Sequence, residues 1–370
     1  MGITQTLLRS SAVAALTAPH GVDRFLEQVN PMWAAHEVRA RIVSIERETY
    51  ALDDPAPVAT ITLQPTSTWR GHRAGQHVQL GIEIDGARRT TRVFSLSSAE
   101  SGPGERFTVT VRANPEGTVS SYLVHRAIPG EIVHLSQAEG DFTLTPAPRD
   151  PVPMRLVMIT GGSGITPALS MVRTLLRQRY AGHVSFVHFA QSPEHQIAAA
   201  ELAEIAADDN GVDVHLVHGE LFTAERLAGL VPDFDRARAW ACGPAAMIDL
   251  VREAYDGLTT LDGDEMLAVE FFKTPTLSLD GAAEGTVSFT QSSGAPGAEG
   301  ENSGATLLEQ AEALGLRPTS GCRMGICFSC VARKTDGTVR DVVSGAESSA
   351  PDEDIRICIS QPVGSCSVEL

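Results

Sequence analysis

Gly321-Cys322-Arg323-Met324-Gly325-Ile326-Cys327-Phe328-Ser329-Cys330 is the stretch from which the rest of the chain is read. Its three cysteines stand at C-x4-C-x2-C spacing. A fourth, Cys358, follows in Ile357-Cys358-Ile359-Ser360-Gln361-Pro362. Four thiolates in this order hold a [2Fe–2S] cluster. Gly321 and Gly325 let the backbone fold close around such a group and offer amide hydrogens to its sulfurs. A structural zinc site would use two C-x2-C knuckles, and one is present. A disulfide framework does not suit six cysteines in 370 residues with no secretory signal. A cluster carries one electron at a time, so the remaining sequence must supply the source of electrons.

Upstream, Arg155-Leu156-Val157-Met158-Ile159-Thr160 is a continuous apolar run, the pattern of a strand buried in a parallel sheet. It leads into Gly161-Gly162-Ser163-Gly164-Ile165-Thr166-Pro167 and then a helix over Ala168–Arg179. Strand, glycine turn and helix in succession place a pyrophosphate on a helix N-terminus, although the turn is not a strict G-x-G-x-x-G. Alternation continues through strand His183–Phe189, helix Ile197–Asp208, strand Val212–His218, helix Ala224–Leu230, strand Arg238–Cys242 and helix Ala245–Tyr255. Cys242-Gly243-Pro244 then falls at the carboxyl end of a parallel strand, where ligands bind in such sheets. The alternative for Cys242 is a buried structural thiol. Glu265 to Phe272 is a last apolar strand.

Between Val38 and Leu144 the apolar period is two. Strands are expected at Arg39–Ile45, Val58–Leu63, His77–Ile82, Thr91–Leu96, Phe107–Arg112 and Glu131–Leu135, which is the pattern of an antiparallel barrel. Two features within it carry chemistry. Arg92-Val93-Phe94-Ser95 offers a guanidinium for a phosphate, a ring for a flat cofactor and a hydroxyl for a ring nitrogen. Gly117-Thr118-Val119-Ser120 opens a short helix whose N-terminus suits a phosphate; an ordinary N-cap by Thr118 or Ser120 is the other reading. Pro146 to Pro153 is a proline-rich break that ends the barrel.

The length suits two or three domains. With net charge −17 and 42% hydrophobic residues, the chain is an ordinary acidic globular protein, which excludes nucleic acid as a partner. No apolar run reaches the roughly 18–20 residues of a transmembrane helix. Residues 1–36 read as a helical arm over the barrel, with its Ala-rich start a candidate for peripheral contact with a membrane surface. A reducing cytoplasm is the expected compartment. After Lys273–Leu277, which reads as a connector, come strand Thr286–Thr290, a solvated loop from Gln291 to Gly304, and helix Leu307–Leu314. Beyond the cysteine loop, strand Cys330–Lys334 and closing strands around Ile357 and Ser367–Glu369 are expected.

Taken together, Arg92–Ser95, Gly161–Pro167, Cys242–Pro244 and the four cysteines resemble, in order, the ferredoxin–NADP reductase superfamily. The particular resemblance is to the form fused to a C-terminal plant-type ferredoxin, and it covers residues from about 38 to the end. It implies an N-terminal arm (1–36), an antiparallel β-barrel FAD domain (37–150), and an α/β parallel-sheet NAD(P) domain (151–272). A linker (273–280) and a β-grasp [2Fe–2S] ferredoxin domain (281–370) would follow. Arg92 would pair with flavin phosphates, Val93 and Phe94 would contact the flavin, and Ser95 would sit near its N5. Gly117, Val119 and Ser120 would hold a pyrophosphate, favouring FAD over FMN. Gly161, Gly162, Gly164, Thr166 and Pro167 would lie under NADPH or NADH, with Ser192 at the adenosine ribose. Cys242, Gly243 and Pro244 would position the nicotinamide, and Glu270 and Phe271 would lie beside the flavin ring. Ser95, Cys242 and Glu270 are thus the implied catalytic residues, and Cys322, Cys327, Cys330 and Cys358 the metal ligands.

Two departures stand out. Phe94 replaces the family's usual Tyr, and no Arg in Ala190–His195 marks a 2′-phosphate site. Cys366 lies outside the cluster pattern. The implied activity is transfer of electrons from NAD(P)H through FAD and the cluster to an oxygen-activating protein. The N-terminal Pro31-Met32-Trp33 region and the domain order look most like actinobacterial reductases of membrane fatty-acyl desaturases. Competing acceptors are a Rieske oxygenase, an alkane hydroxylase or a cytochrome P450. A redox sensor that does not turn over, and a peroxide-forming oxidase, are the competing functions.

Overall fold

A computed structural model describes residues 22–52, 54–84, 89–115, 117–144, 155–259, 266–271, 284–290, 297–320, 325, 330–342 and 345–370. The chain divides into two compact units, Met1–Glu270 and Phe271–Leu370. The first unit opens with helix α1 (Val22–Val29) and strands β1 (Val38–Arg47), β2 (Val58–Pro65), β3 (His77–Ile82), β4 (Thr90–Ser95) and β5 (Phe107–Arg112). Helix α2 (Thr118–His125) and strand β6 (Ile132–Leu135) follow. The strands run in the order β4-β3-β6-β1-β2-β5, each pairing antiparallel with its neighbour. A bridge between Leu96 and Val109 draws the two edge strands together, so the sheet nearly closes into the expected barrel. Alternation explains the filling: every second residue points inward, and Ile42, Ile61, Leu63, Leu80 and Val109 are almost completely buried. Trp69 stacks on Phe107 within this core at 4.7 Å between ring centroids.

The helical arm is tied to this barrel by buried charge. Asp23 accepts hydrogen bonds from the backbone N–H groups of Ala35, His36 and Glu37. Arg39, on β1, is fully buried; its guanidinium meets Glu27 at 2.9 Å and donates to the carbonyl of Trp33 at 2.6 Å. Strand periodicity alone would not bury an arginine. Here the arm covers the outer face of β1 and supplies the partners that make burial affordable. The first helix expected in the arm falls within residues 1–21, outside the described residues.

The same unit continues with β7 (Arg155–Gly161), α3 (Ile165–Arg177), β8 (His183–Ala190), α4 (Ala199–Ala207), β9 (Val212–His218), α5 (Ala224–Leu230), β10 (Arg238–Gly243), α6 (Ala245–Tyr255) and β11 (Leu267–Phe271). The sheet order is β11-β10-β7-β8-β9, with β10, β7, β8 and β9 mutually parallel. Its buried layer includes Met158, Leu169, Phe186 and Trp240. Two helix starts differ from expectation. α3 begins at Ile165 rather than Ala168, after a 3-10 turn over Gly162–Gly164. Pro167 falls within the first helical turn, where its missing N–H costs nothing. α4 begins at Ala199 rather than Ile197, because Ala198 takes a left-handed conformation (φ 55°).

The second unit comprises β12 (Thr286–Thr290), β13 (Ala298–Glu301), α7 (Leu307–Ala313), β14 (Val331–Asp341), β15 (Glu347–Ser348), β16 (Glu353–Arg356) and β17 (Ser360–Glu369). Its sheet order is β13-β12-β17-β14-β15, with β16 paired to β14; β12 and β17 are parallel and the other pairs antiparallel. α7 carries a capping box between Thr306 and Glu309, and its Leu307 and Leu308 join Val287, Phe289, Ile357 and Val368 in the core. This mixed sheet crossed by a helix is the α+β class expected.

Two expectations are corrected in this unit. Ala298–Glu301 is an edge strand paired with Thr286–Phe289, not part of a solvated loop. Ala-Glu-Gly-Glu carries no apolar alternation, so pairing with a neighbour, not pattern, makes it a strand. Strand β14 does not stop at Lys334. It runs through Asp336-Gly337, a dipeptide that signals a turn, as a bulge with Gly337 at φ 93°. The expected linker 273–280 lies outside the described residues. Among the described residues, no helix is long and apolar enough to cross a membrane.

Replacing Arg39 with Ala removes the buried guanidinium and strands the Trp33 carbonyl. The expected cost is about 2–3 kcal/mol of unfolding free energy, read from urea melts of parent and variant. A loss under about 0.5 kcal/mol, the range of a neutral surface change, would mean that the arm is not anchored by this pair.

Candidate active site

In the five-stranded sheet the chain leaves β7 for β8 and β9 on one side and then returns to β10 on the other. The crevice beyond the carboxyl ends of β7 and β10 is therefore the point where strand order reverses, and ligands bind there in open α/β sheets. Both sequence signals fall on it. A Cβ on Gly164 would lie 2.2 Å from the carbonyl oxygen of Cys242, and one on Gly161 would lie 2.8 Å from Met247 Sδ. Gly162 has φ 54°, and a Cβ there would make an ordinary contact with an Arg112 guanidinium nitrogen at 3.8 Å. Thr166 donates from its hydroxyl to the carbonyl of Ser163 at 3.1 Å, and Pro167 is buried behind it. Gly243 and Pro244 lie against the same turn, their neighbour Met247 packing on Gly161.

The adenosine end expected around Ser192 follows β8. Ser192 donates to the carboxylate of Glu194, and its oxygen lies 2.8 Å from His195 Nδ1. That hydroxyl holds the exposed Glu194 carboxyl below the usual carboxylate range. A cleft between barrel and sheet reaches this place, lined by Thr49, Arg112, Gly162, Ser163, Gln191 and His195.

On the barrel side, β4 carries Arg92, Val93 and Phe94 half-buried and Ser95 buried. Arg92 donates to the carbonyl of Thr91 at 2.8 Å. The Ser95 hydroxyl is buried with no hydrogen-bond partner among the described residues, an arrangement that costs free energy unless another group supplies one. Gly117 is the N-cap of α2, and no side chain caps the helix, so Thr118 and Ser120 do not play that part. Ser120 Oγ accepts instead from the backbone N–H of Asn114 at 3.1 Å, and Val119 is buried. An uncapped helix start and an orphaned hydroxyl on the neighbouring strand fit a phosphorylated, flat cofactor.

The two halves of this unit are held together around α3. Ser170 donates to the carbonyl of Ser98 at 2.6 Å, and Arg173 to that of Ser97 at 2.5 Å while also pairing with Glu201. Beneath the junction lie two titratable groups. Cys242 is buried, and desolvation first, then the charge of Glu270, pushes its thiol well above the ordinary range, so it stays protonated. Glu270 on β11 is also buried. Desolvation raises its carboxyl to about 8, and its Oε2 has no hydrogen-bond partner among the described residues. The side chain of Phe271 lies outside the described residues.

Sequence reading missed His77. It is the ladder partner of Ser95, and its Nδ1 lies 3.9 Å from Glu270 Oε1. Gly140 makes room for it, since a Cβ there would sit 2.7 Å from Nδ1. No local signal marks a contact between residues so far apart in sequence. His77 thus neighbours Ser95 across the ladder and approaches Glu270, and all three are buried.

In the second unit, Cys330 and Cys358 are buried and their Sγ atoms lie 3.0 Å apart, too far for a disulfide. The backbone N–H of Gly325 donates to Cys358 Sγ at 3.3 Å. Two adjacent thiol sulfurs, one receiving an amide hydrogen, fit a thiolate-ligated cluster. Cys322 and Cys327 lie outside the described residues. Cys366 is in the core on β17, consistent with a bystander.

Comparison with known proteins agrees with this architecture. Residues 158–253 match the oxidoreductase NAD-binding domain family and residues 296–363 the 2Fe-2S iron-sulfur cluster binding domain family. An NADPH oxidoreductase of Mycobacterium tuberculosis is 34% identical over 364 residues, covering 96% of this chain and 90% of that protein. A glycine betaine monooxygenase reductase subunit of Chromohalobacter salexigens is 27% identical, covering 91% and 96%. Among solved structures, phthalate dioxygenase reductase shares the fold, with a TM-score of 0.58 at 20% identity, covering 90% of this chain and 98% of that one. The chain belongs to the ferredoxin–NADP reductase-like oxidoreductases that carry a C-terminal [2Fe–2S] ferredoxin domain. It is an NAD(P)H-dependent oxidoreductase.

Burial gives Glu270 a pH signature. Between the ordinary carboxylate value of 4.5 and about 8, the folded protein keeps a proton that the unfolded chain has lost. The associated stability is full below that window and lost as pH rises through it. Glu270→Gln is uncharged at every pH, so its melting temperature should overtake the parent's as pH approaches 8, the difference closing toward pH 4.5. Parallel curves across the window would mean that Glu270 is ionised in the folded state.

Proposed function

We propose that the protein passes electrons from NAD(P)H through FAD and a [2Fe–2S] cluster to an oxygen-activating partner protein. The observation that carries this reading is the meeting of Gly161–Gly164 with Cys242–Pro244 at the strand-order reversal, together with a barrel strand whose Ser95 hydroxyl has no partner among the described residues. When bound, FAD supplies two-electron acceptance from the nicotinamide and one-electron donation to the cluster.

The residues act by binding and orientation. In this reading Arg92 neutralises flavin phosphate, and Gly117, Val119 and Ser120 form the helix start that receives the pyrophosphate. Val93, Phe94 and Phe271 contact the ring system, and Ser95 donates its hydroxyl to it. Gly161, Gly162, Gly164, Thr166 and Pro167 form the floor under the dinucleotide, and Ser192 reads its adenosine end. Cys242, Gly243 and Pro244 hold the nicotinamide at reacting distance and exclude water. Glu270, neutral at pH 7, keeps charge away from the reacting rings. Cys322, Cys327, Cys330 and Cys358 ligate the cluster. The corresponding division is an arm (1–36), FAD barrel (37–150), NAD(P) domain (151–272), linker (273–280) and ferredoxin domain (281–370).

For the acceptor, the name of the C. salexigens relative, a monooxygenase reductase subunit, supports an oxygenase component. A membrane di-iron fatty-acyl desaturase is the narrower acceptor suggested by the likeness of the Pro31-Met32-Trp33 region. The N-terminal arm would then be the place for peripheral membrane contact, with the rest of the protein in the cytoplasm.

Anaerobic titration of the purified protein with NADH and NADPH in parallel tests the transfer chain. Bleaching of both flavin and cluster absorption by one nucleotide is the expected result; flavin bleaching with no cluster signal would remove the cluster from the proposal. In Cys330→Ser, flavin reduction should persist while cytochrome c reduction falls at least tenfold.

Arg92→Ala should lose flavin on gel filtration. A variant that retains stoichiometric flavin would place the phosphate elsewhere.

A further inference from the structure

Within the cysteine loop, Gly325 is held through both its N–H and its carbonyl. Its N–H donates to Cys358 Sγ at 3.3 Å, and its carbonyl accepts from Arg356 Nη1 at 2.6 Å. The other arm of the same guanidinium meets Asp341 Oδ2 at 3.2 Å. Arg356 ends β16 two residues before Cys358 and stands opposite Val331, the residue after Cys330. Asp341 ends β14. A planar fork thus ties the end of one strand to the loop between Cys322 and Cys327, a geometry that a lysine's point charge cannot reproduce.

Gly325 leaves no freedom in this arrangement. Its φ is 75°, and a Cβ would lie 2.4 Å from Ile359 Cδ1. The peptide is pressed onto Ile359 on one side while the guanidinium pulls its carbonyl, and the result is an amide hydrogen pointing at the sulfur. An amide donor and a nearby cation both stabilise the more negative, reduced form of a thiolate-bound cluster, and so raise its reduction potential.

We propose that Arg356 is a positioning residue for the cluster, aiming the Gly325 amide at Cys358 and, with Asp341 as counter-charge, setting the cluster's potential. This rests on the four-cysteine cluster reading above and goes beyond it by assigning a tuning device outside the ligand set. Nothing in the C-x4-C-x2-C pattern points to Arg356, because its role follows from a contact spanning 31 residues.

The test is an anaerobic redox titration of the full-length holoprotein, read by the electron paramagnetic resonance signal of the reduced cluster and by visible circular dichroism. Iron and sulfide are assayed in every sample. Arg356→Gln removes the charge and weakens the grip on Gly325. At the parent's midpoint its reduced-to-oxidised ratio should fall about tenfold, a downward shift of 59 mV for a one-electron couple, with an altered dichroism spectrum. Arg356→Lys should recover part of the potential but not the parent spectrum.

Asp341→Asn leaves the Gly325 contact in place and removes the counter-charge, so its potential should rise. An Arg356→Gln protein with full iron and the parent's potential overturns the proposal. If that variant fails to retain iron, Asp341→Asn decides: an upward shift supports the tuning role, and an unchanged midpoint sinks it. A parent protein lacking iron and sulfide would instead overturn the cluster reading itself, which separates the two failures.

Discussion

Gly164 lies so close to the Cys242 carbonyl that no side chain fits between them, and the nicotinamide half of the molecule depends on that approach. Two parallel strands, β7 and β10, must end side by side with their following turns in contact. Only then do the start of α3 and the Cys242-Gly243-Pro244 turn border one crevice. A residue with a Cβ would push the helix start away from the strand end and open the space into which amide groups now face.

Barrel strand β4 and sheet strand β11 each bring a polar group that folding alone leaves unsatisfied. Among the described residues, the buried hydroxyl of Ser95 and a buried carboxyl oxygen of Glu270 have no hydrogen-bond partner, although most buried polar atoms in proteins do. Burial keeps the Glu270 carboxyl and the Cys242 thiol protonated near neutral pH. The site is therefore a low-charge interior lined by donors and acceptors. Its cost in stability is offset by the links across α3, where Arg173 and Ser170 bind barrel carbonyls.

In the second unit, glycine and arginine share one task. Gly325 takes a left-handed conformation against Ile359, and Arg356 fixes its carbonyl, so that backbone rather than side chain addresses the Cys358 sulfur. Gly337, another left-handed glycine, lets β14 carry a bulge and continue where a turn would otherwise end it. The longer strand then reaches Asp341, which is what brings that carboxylate to Arg356.

The sequence by itself determined the fold class and the order of its parts. Period-two alternation, a buried apolar strand before a glycine turn, and the cysteine spacing are local patterns, and local physics dictates them. Most strand and helix limits followed within a few residues, and the misses were instructive. Ala298–Glu301 became a strand through pairing alone, Asp336-Gly337 became a bulge through the pull of β17, and α3 started early because proline is accepted in a first turn. Only tertiary structure decided that Arg39 is buried beneath the arm, that His77, the ladder partner of Ser95, comes within 3.9 Å of Glu270, and that Arg356 grips the cysteine loop. Each of these is a contact between residues distant in the chain, and its strength comes from burial and geometry that no local window of sequence contains.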